Sequence, residues 1–166
     1  MELTGAQRIE ASREAVWQAL NDPEILRQCI PGCQELQQSS PTQFTARVVL
    51  KIGPVKATFS GAVTLSDLDP PHGYRIAGEG QGGVAGFAKG GADVRLEAEP
   101  DGATRLTYSA QANVGGKIAQ LGARLIDSTS RKLAGEFFTA FARVVAPDAV
   151  PAAASAAPPA MDELTP

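Results

Sequence analysis

The feature that most constrains this fold is residues 117–145, a proline-free stretch with core-type positions at helical spacing. These positions lie three or four residues apart, the period of one face of an α-helix. They are Ile118, Leu121, Leu125, Thr129, Leu133, Phe137, Phe141 and Val144. A helix of this length would be about 43 Å long. We therefore expect the rest of the chain to hold it lengthwise.

The residues before this stretch predict a sheet that could do so. Residues 2–9 form a short first strand in this interpretation. Ser12 and Asp22 are placed to cap two short helices. From Phe44 to Val114, apolar and polar residues alternate, with turn clusters at the Gly-Pro, Asp-Pro-Pro-His-Gly and Asp-Gly sequences. We predict an α+β fold, a curved antiparallel sheet of about seven strands against a long C-terminal helix.

Residues 78–91 are half glycine and contain the pattern GxGxxG. A dinucleotide site requires that pattern between a strand and a helix. The sequence that follows, VAGFAKGGADVRL, is not an amphipathic helix, so a dinucleotide site is not predicted. Glycine here indicates a bulge, a bend or a close approach of the backbone to a ligand or another strand.

Composition excludes several classes of function. The net charge of −3 and the mixed charges do not match the basic surface of a nucleic-acid-binding protein. We expect a cytoplasmic protein, because the sequence shows no signal peptide and no apolar run long enough for a membrane span. Cys29 and Cys33 with one distant histidine do not make a zinc site.

Residues 1–146 are predicted to be one domain, and the Ala/Pro-rich residues 147–166 are predicted to be a disordered tail.

Several segments together resemble CoxG, a family named for a subunit of carbon monoxide dehydrogenase, with the helix-grip fold of START domains, pollen allergens and polyketide cyclases. They are VWQALNDPEILRQCIPGC (16–33), KIGPVKATFSG (51–61), DLDPP (67–71), the glycine-rich 78–91, VGGKIAQLGARLI (114–126) and EFF (136–138). The resemblance covers roughly residues 1–146.

The resemblance implies a non-catalytic accessory protein with a hydrophobic cavity between sheet and long helix. It implies that the cavity takes a quinone (menaquinone or ubiquinone) or a lipid, with no tightly bound cofactor. The implied partners are the subunits of a molybdenum hydroxylase, at the inner face of the membrane. Family members at the membrane typically carry a C-terminal anchor after a Pro/Ala-rich linker. Here the linker-like stretch ends at Pro166, which leaves a partner or an anchor beyond the given sequence as alternatives.

A cavity between the sheet and the helix requires small side chains at positions that face it. The small residues at the inward-facing strand positions and along the apolar face of the predicted helix are Ala46, Ala57, Gly61, Ala110, Ala112, Ala119, Gly122, Ser128 and Thr129. They fit either close helix–sheet contact or an apolar pocket, and the resemblance favours the pocket. We predict these ligand-binding residues: Leu26, Phe59, Val63, Tyr74, Ile76, Phe87, Val94, Leu96, Tyr108, Ile118, Leu121, Gly122 and Leu125.

Catalysis would require a titratable side chain inside the pocket. The strand positions predicted to face inward are nearly all apolar residues or glycine, and Tyr108 is the main polar exception. A bulge within residues 78–91 would bring Glu79 or Lys89 inward. We therefore predict no catalytic residue and no metal site. Two alternatives stay open, a cyclase- or hydratase-type enzyme that uses the same cavity, and a chaperone-like binding module without a ligand.

Overall fold

The structure is a computed structural model and describes residues 1–146. Within this range the chain forms seven strands and three α-helices in the order β1, α1, α2, β2–β7, α3. The strands are β1 (Glu2–Ile9), β2 (Cys33–Ser40), β3 (Gln43–Ile52), β4 (Val55–Asp69), β5 (Gly73–Gln81), β6 (Phe87–Ala98) and β7 (Thr104–Gly115). The helices are α1 (Arg13–Leu20), α2 (Pro23–Cys29) and α3 (Ala123–Val145), with 3₁₀ helices at Gly83–Ala85 and Gly116–Leu121. The predicted tail, 147–166, lies outside the described residues.

The seven strands form one antiparallel sheet in the order β1-β7-β6-β5-β4-β3-β2. Consecutive strands from β2 to β7 are neighbours, so short hairpins make every connection within that run. The last strand, β7, pairs with the first strand, β1. One face of the sheet packs on the helices, and α3 lies along it. The predicted helix-grip fold is confirmed.

Local signals in the first third of the chain act as expected. The Ser12 hydroxyl accepts a hydrogen bond from the Ala15 N–H at 3.2 Å, which caps α1. The Asp22 carboxylate accepts one from the Glu24 N–H at 2.9 Å, which caps α2. Each cap satisfies a backbone donor that the first helical turn leaves free. The predicted first strand matches β1 residue for residue.

The long helix begins later than the sequence predicts. Its first predicted residues, up to Leu121, form the 3₁₀ helix instead, and α3 starts at Ala123. Gly122 separates the two with φ +97° and ψ +151°, a conformation open essentially only to glycine. Helical periodicity runs through the break because both segments pack on the same side of the sheet. The prediction of one continuous helix over 117–145 is therefore wrong at its start.

The glycine-rich segment is a hairpin connection between two regular strands. Gly83 and Gly86 have positive φ values of 62° and 114° and turn the chain between β5 and β6. The pairing of β5 with β6 has no register shift from Gly73 to Gln81, so no bulge inverts the alternation of side chains. Close approach does occur, since a Cβ at Gly90 would overlap the Gln111 carbonyl oxygen.

Two hydrophobic clusters hold the sheet and helices together. The larger one centres on Phe141, which is fully buried, and joins α1 and the C-terminal half of α3 to the sheet. The smaller one joins the turn end of the sheet to the 3₁₀ helix and the start of α3, through Ile52, Phe59, Ile118 and Ile126. Within residues 1–146, no helix is long and apolar enough to cross a membrane.

Candidate functional site

A cavity of about 550 Å³ lies between the concave face of the sheet and α3. It is lined by inward residues of β3 to β7 on one side, and by the 3₁₀ helix and the first half of α3 on the other. Pockets for small molecules usually have volumes of about 300–1,000 Å³. Its walls are contributed by the smaller hydrophobic cluster and by residues between the two clusters.

The floor of the cavity consists of residues without long side chains. Ala46, Gly61, Gly80 and Ala88 are register partners, one after another, across β3, β4, β5 and β6. A second row, Gly78, Gly90 and Ala112, crosses β5, β6 and β7 beside the first. No side chain longer than a methyl group rises from these seven positions, so the space beneath α3 stays unfilled.

The opposite wall comes from the helical segments. Ile118 projects from the 3₁₀ helix and is 1% exposed, and Ile126 and Leu133 project from α3. Thr129 and Ser130 add the hydroxyl groups of this wall. The Ser130 hydroxyl donates to the Ile126 carbonyl oxygen at 2.8 Å, so its donor is already used within the helix. The wall is therefore apolar with few polar atoms, as expected for a site that takes an apolar molecule.

Charged side chains point away from this cavity. Glu79 and Lys89 border it through their backbone, but they alternate with Gly78, Gly80, Ala88 and Gly90, which face inward. Both side chains are exposed on the convex face of the sheet, where they are register partners. In the described part of the chain, the cavity wall has no carboxylate, imidazole or amine side chain directed into it.

The structure brings four of the predicted ligand-binding residues to the cavity, namely Phe59, Val63, Ile76 and Ile118. They share the inward phase of β4 and β5 or, for Ile118, the 3₁₀ helix. Contact of these residues with a ligand stays a prediction. The other nine predicted residues do not line the cavity.

Five of these nine belong to the larger cluster. Val94, Leu96 and Tyr74 are buried there, and Leu26 and Tyr108 pack against it. Their side chains have partners of their own: the rings of Trp17 and Tyr74 are 5.1 Å apart, and Tyr108 stacks on Phe138 at 5.4 Å. Burial raises the pKa of Tyr74, so its phenol stays neutral. These residues face inward as predicted, but they fill the core beyond the end of the cavity.

The remaining four lie at or near the turn end of the sheet. Leu121 and Leu125 are partly buried and pack against the smaller cluster. The Phe87 ring lies over Gly115 on the convex face, because Phe87 alternates with the inward Ala88. Gly122 is exposed, and no atom lies within 4 Å of the position a Cβ would take. A side chain there would point to solvent, so this small residue of the helical segment does not contribute to the cavity.

The sequence-based set missed most of the floor. Gly78, Gly80, Ala88 and Gly90 were absent from it, although residues 78–91 were singled out for close approach to a ligand. Ala46, Gly61 and Ala112 were noted as small inward residues but were left out of the predicted set. The available signal was the absence of a side chain at alternate positions, which hydrophobic periodicity does not report.

The two cysteines, at the end of α2 and the start of β2, do not line the cavity. Cys29 is buried in the larger cluster, and both thiols are free. Burial raises the pKa of each thiol. The Cys33 thiol donates to the Glu35 carbonyl oxygen at 3.3 Å. Among residues 1–146, no group of three or more His, Cys, Asp or Glu side chains is placed to hold a metal ion.

A second depression, of about 430 Å³, lies on the convex face over β2 to β5. Short polar side chains such as Thr45 and Ser60 line it, and the ion pair between Arg47 and Glu35 forms its rim. It is a groove in a solvated sheet face with polar side chains, whereas the cavity beneath α3 has an almost entirely apolar lining.

Comparison with known protein families identifies the family of this chain. The model of the CoxG family, named for a subunit of carbon monoxide dehydrogenase, matches residues 5–146, which is nearly the whole described domain. The chain belongs to the CoxG family. No curated protein sequence matches it.

Solved structures share the fold of this chain. A conserved protein from Geobacillus kaustophilus is 31% identical, with a TM-score of 0.83, over 89% of this chain and 96% of that one. A START superfamily protein from Mycobacterium smegmatis is 15% identical, with a TM-score of 0.67, over 87% and 96%. The Zhui aromatase/cyclase from Streptomyces sp. R1128 is 13% identical, with a TM-score of 0.64, over 90% and 99%. The last two share the fold of this CoxG family member.

Proposed function

We propose that this CoxG family member is a non-catalytic accessory protein that binds a hydrophobic molecule, a quinone or a lipid, beneath α3. The observation that carries the proposal is the floor of glycine and alanine in register across β3 to β7. Helix–sheet interiors are normally close-packed. A volume of about 550 Å³ within one is therefore a feature that function must explain.

The chemistry of the wall favours binding over catalysis. General acid–base work needs a group of tuned pKa within hydrogen-bond reach of the substrate. In residues 1–146, the inward groups of the cavity are aliphatic or aromatic side chains, glycines and two hydroxyls. A floor of backbone and methyl groups, without projecting side chains, suits a planar apolar ring, which supports a quinone. An enzyme of the cyclase type shares the fold, and it is the second class that the assay below addresses.

Family membership supports the cellular part of the proposal. The family is named for a subunit of carbon monoxide dehydrogenase. We infer that this protein assists the assembly, membrane recruitment or electron transfer of a molybdenum hydroxylase of that kind. A hydrophobic electron carrier bound in the cavity of this protein would connect the cavity to electron transfer by such an enzyme. Co-purification of the tagged protein with molybdenum-containing subunits from its native host tests this part.

Gly80→Val tests the cavity itself. A Cβ at Gly80 would have its nearest neighbours 3.9 Å away, Phe59 Cβ and the Ser60 carbonyl oxygen, which is ordinary contact. The valine would project into the cavity. We expect the variant to melt at an equal or higher temperature, because it fills empty volume and replaces glycine in a strand. If the sheet and α3 were in close contact here, overpacking would instead cost about 1–3 kcal/mol.

The matched control is Ala77→Val, which adds methyl groups on the exposed convex face of the same strand. Native mass spectrometry with a short-chain quinone should show one molecule bound to the parent and to Ala77→Val, and none to Gly80→Val. Binding that survives Gly80→Val would overturn the assignment of the cavity. Chemical turnover of the bound molecule by the parent would favour the enzyme alternative.

A further inference from the structure

Three segments meet at one end of the sheet, and their exposed side chains have no role in the proposed function. They are the β3–β4 turn with its flanks (51–56), the β5–β6 turn (82–87) and residues 116–125. A Cβ at Gly53 would touch the Leu125 side chain, and one at Gly116 would touch the Gly86 backbone. These contacts, with the hairpin pairing, make the three segments one continuous surface, which we call the basic end.

The basic end carries positive charge in a chain whose net charge is −3. Lys51, Lys56, Lys117 and Arg124 are all exposed there, and none of the four forms an ion pair within residues 1–146. The sequence has no Asp or Glu in 36–66, 80–92 or 102–126. The basic end is therefore opposite in sign to the protein as a whole.

Two carboxylates stand at the borders of the acid-free stretches that form this end. Asp127, in the first turns of α3, accepts a hydrogen bond from Arg131 at 2.9 Å, so it already has a cationic partner. Glu79 lies on the convex face of β5, where its register partner is Lys89. Neither forms an ion pair with the four cations of the basic end within residues 1–146, so these cations are available to an anionic surface.

The same end presents an apolar tip. Val84 stands at the apex of the β5–β6 turn and is 93% exposed, more than any other large apolar side chain described. Phe87, at the base of the turn, is 42% exposed. A single exposed apolar residue is ordinary on a protein surface. An exposed aliphatic apex at the same end of the sheet as four unpaired cations, with no carboxylate on the same loops, is the composition that suits a membrane interface.

We propose that the basic end docks on a lipid bilayer that contains anionic lipids, with Val84 entering the boundary between headgroups and acyl chains. A lone valine on a narrow turn offers little contact area to a folded partner, whereas a headgroup layer closes around it. Ile52, Phe59, Ile118 and Ile126 lie beneath this end and also line the cavity. A docked bilayer would thus lie next to one end of the cavity. The inference deepens the membrane recruitment in the proposed function, but it requires no ligand.

The test is sedimentation of the full chain with lipid vesicles. Phosphatidylcholine vesicles that contain phosphatidylglycerol should bind the protein, high salt should weaken the binding, and pure phosphatidylcholine should bind less. Lys51→Glu with Lys56→Glu should lower the partition coefficient at least about 25-fold, since each lysine near an anionic surface contributes about fivefold. Val84→Asp should lower it at least about tenfold.

Matched controls separate this surface from general effects of charge and exposed apolar area. Lys132→Glu with Arg143→Glu makes the same change in net charge further along α3. Leu68→Asp removes another exposed apolar side chain, near the opposite end of β4. Both should bind vesicles as the parent does. All variants should melt within a few degrees of the parent, because every altered side chain is exposed.

Three results would overturn the proposal. They are no binding of the parent to anionic vesicles, an equal loss in the Lys132/Arg143 control, and salt-sensitive binding that does not depend on Val84. Salt-sensitive binding that does not depend on Val84 would instead indicate that the basic end binds an acidic protein surface. The vesicles contain no quinone, and the quinone assay contains no vesicles. Failure of the docking surface therefore leaves the cavity proposal standing, and the reverse also holds.

Discussion

Replacing Gly122 by alanine should destabilise the protein although the new methyl group touches nothing. No heavy atom lies within 4 Å of the position where the Cβ would stand. The cost is conformational, because φ +97° with ψ +151° belongs to a region that is essentially open to glycine alone. Holding another residue there costs about 1–3 kcal/mol. We expect the free energy of unfolding to fall by that amount.

Gly135 offers a control in the same chain. It lies inside α3, is exposed, and also has no heavy atom within 4 Å of its Cβ position. Alanine is preferred over glycine in a helix interior by about 1 kcal/mol. Gly135→Ala should therefore raise the free energy of unfolding by about that amount. The two substitutions are chemically identical and equally free of contacts, yet they should have opposite signs.

Urea unfolding, followed by far-ultraviolet circular dichroism, measures both changes. For a domain near 150 residues, 1 kcal/mol corresponds to roughly 2–4 °C in melting temperature, so thermal melts provide a second measurement. If Gly122→Ala stabilised the protein as Gly135→Ala does, residue 122 would be helical. The helix would then run unbroken from Lys117, as the sequence alone predicts, and the break at Gly122 would be refuted.

Two further predictions concern the larger cluster and the cysteines. Phe141→Ala should lower the free energy of unfolding by about 3–5 kcal/mol in urea titrations, because Phe141 is fully buried and stacks on Phe137 at 5.6 Å; a loss below 1 kcal/mol would mean that the cluster does not depend on this ring. In the native protein a thiol reagent near neutral pH should modify Cys33 slowly and Cys29 only after unfolding, since burial raises the pKa of both thiols and Cys29 is 2% exposed. Fast labelling of both thiols would contradict this arrangement.

Much of the fold followed from signals that act over a few residues. Ser12 and Asp22 cap their helices through hydrogen bonds to residues two or three positions away, so the sequence contains both partners. Alternation in β3 and β4 reports which side chains face inward, because the period of a strand is two in any sheet. The turns at 53–54 and 101–102 use glycine where φ is positive. Each of these predictions needed only the local chain.

The position of the cavity could not be predicted from local signals, because it depends on the register between strands that are far apart in sequence. Ala46, Gly61, Gly80 and Ala88 form one row only when four strands pair as they do. The same inward phase also carries Tyr74, Val94 and Leu96, which fill the core instead. Periodicity distinguishes inward from outward, but it does not say how far along the sheet a residue lies.

The sequence by itself determined the class of fold, the order of the elements, the inward faces of the strands and the resemblance to the CoxG family. Tertiary structure alone decided where the long helix begins, which small residues lie side by side, and that Phe87 faces outward. The physical reason is that caps, turns and alternation are properties of neighbouring residues. A cavity is space that packing leaves unfilled, and only the relative placement of whole strands and helices determines it.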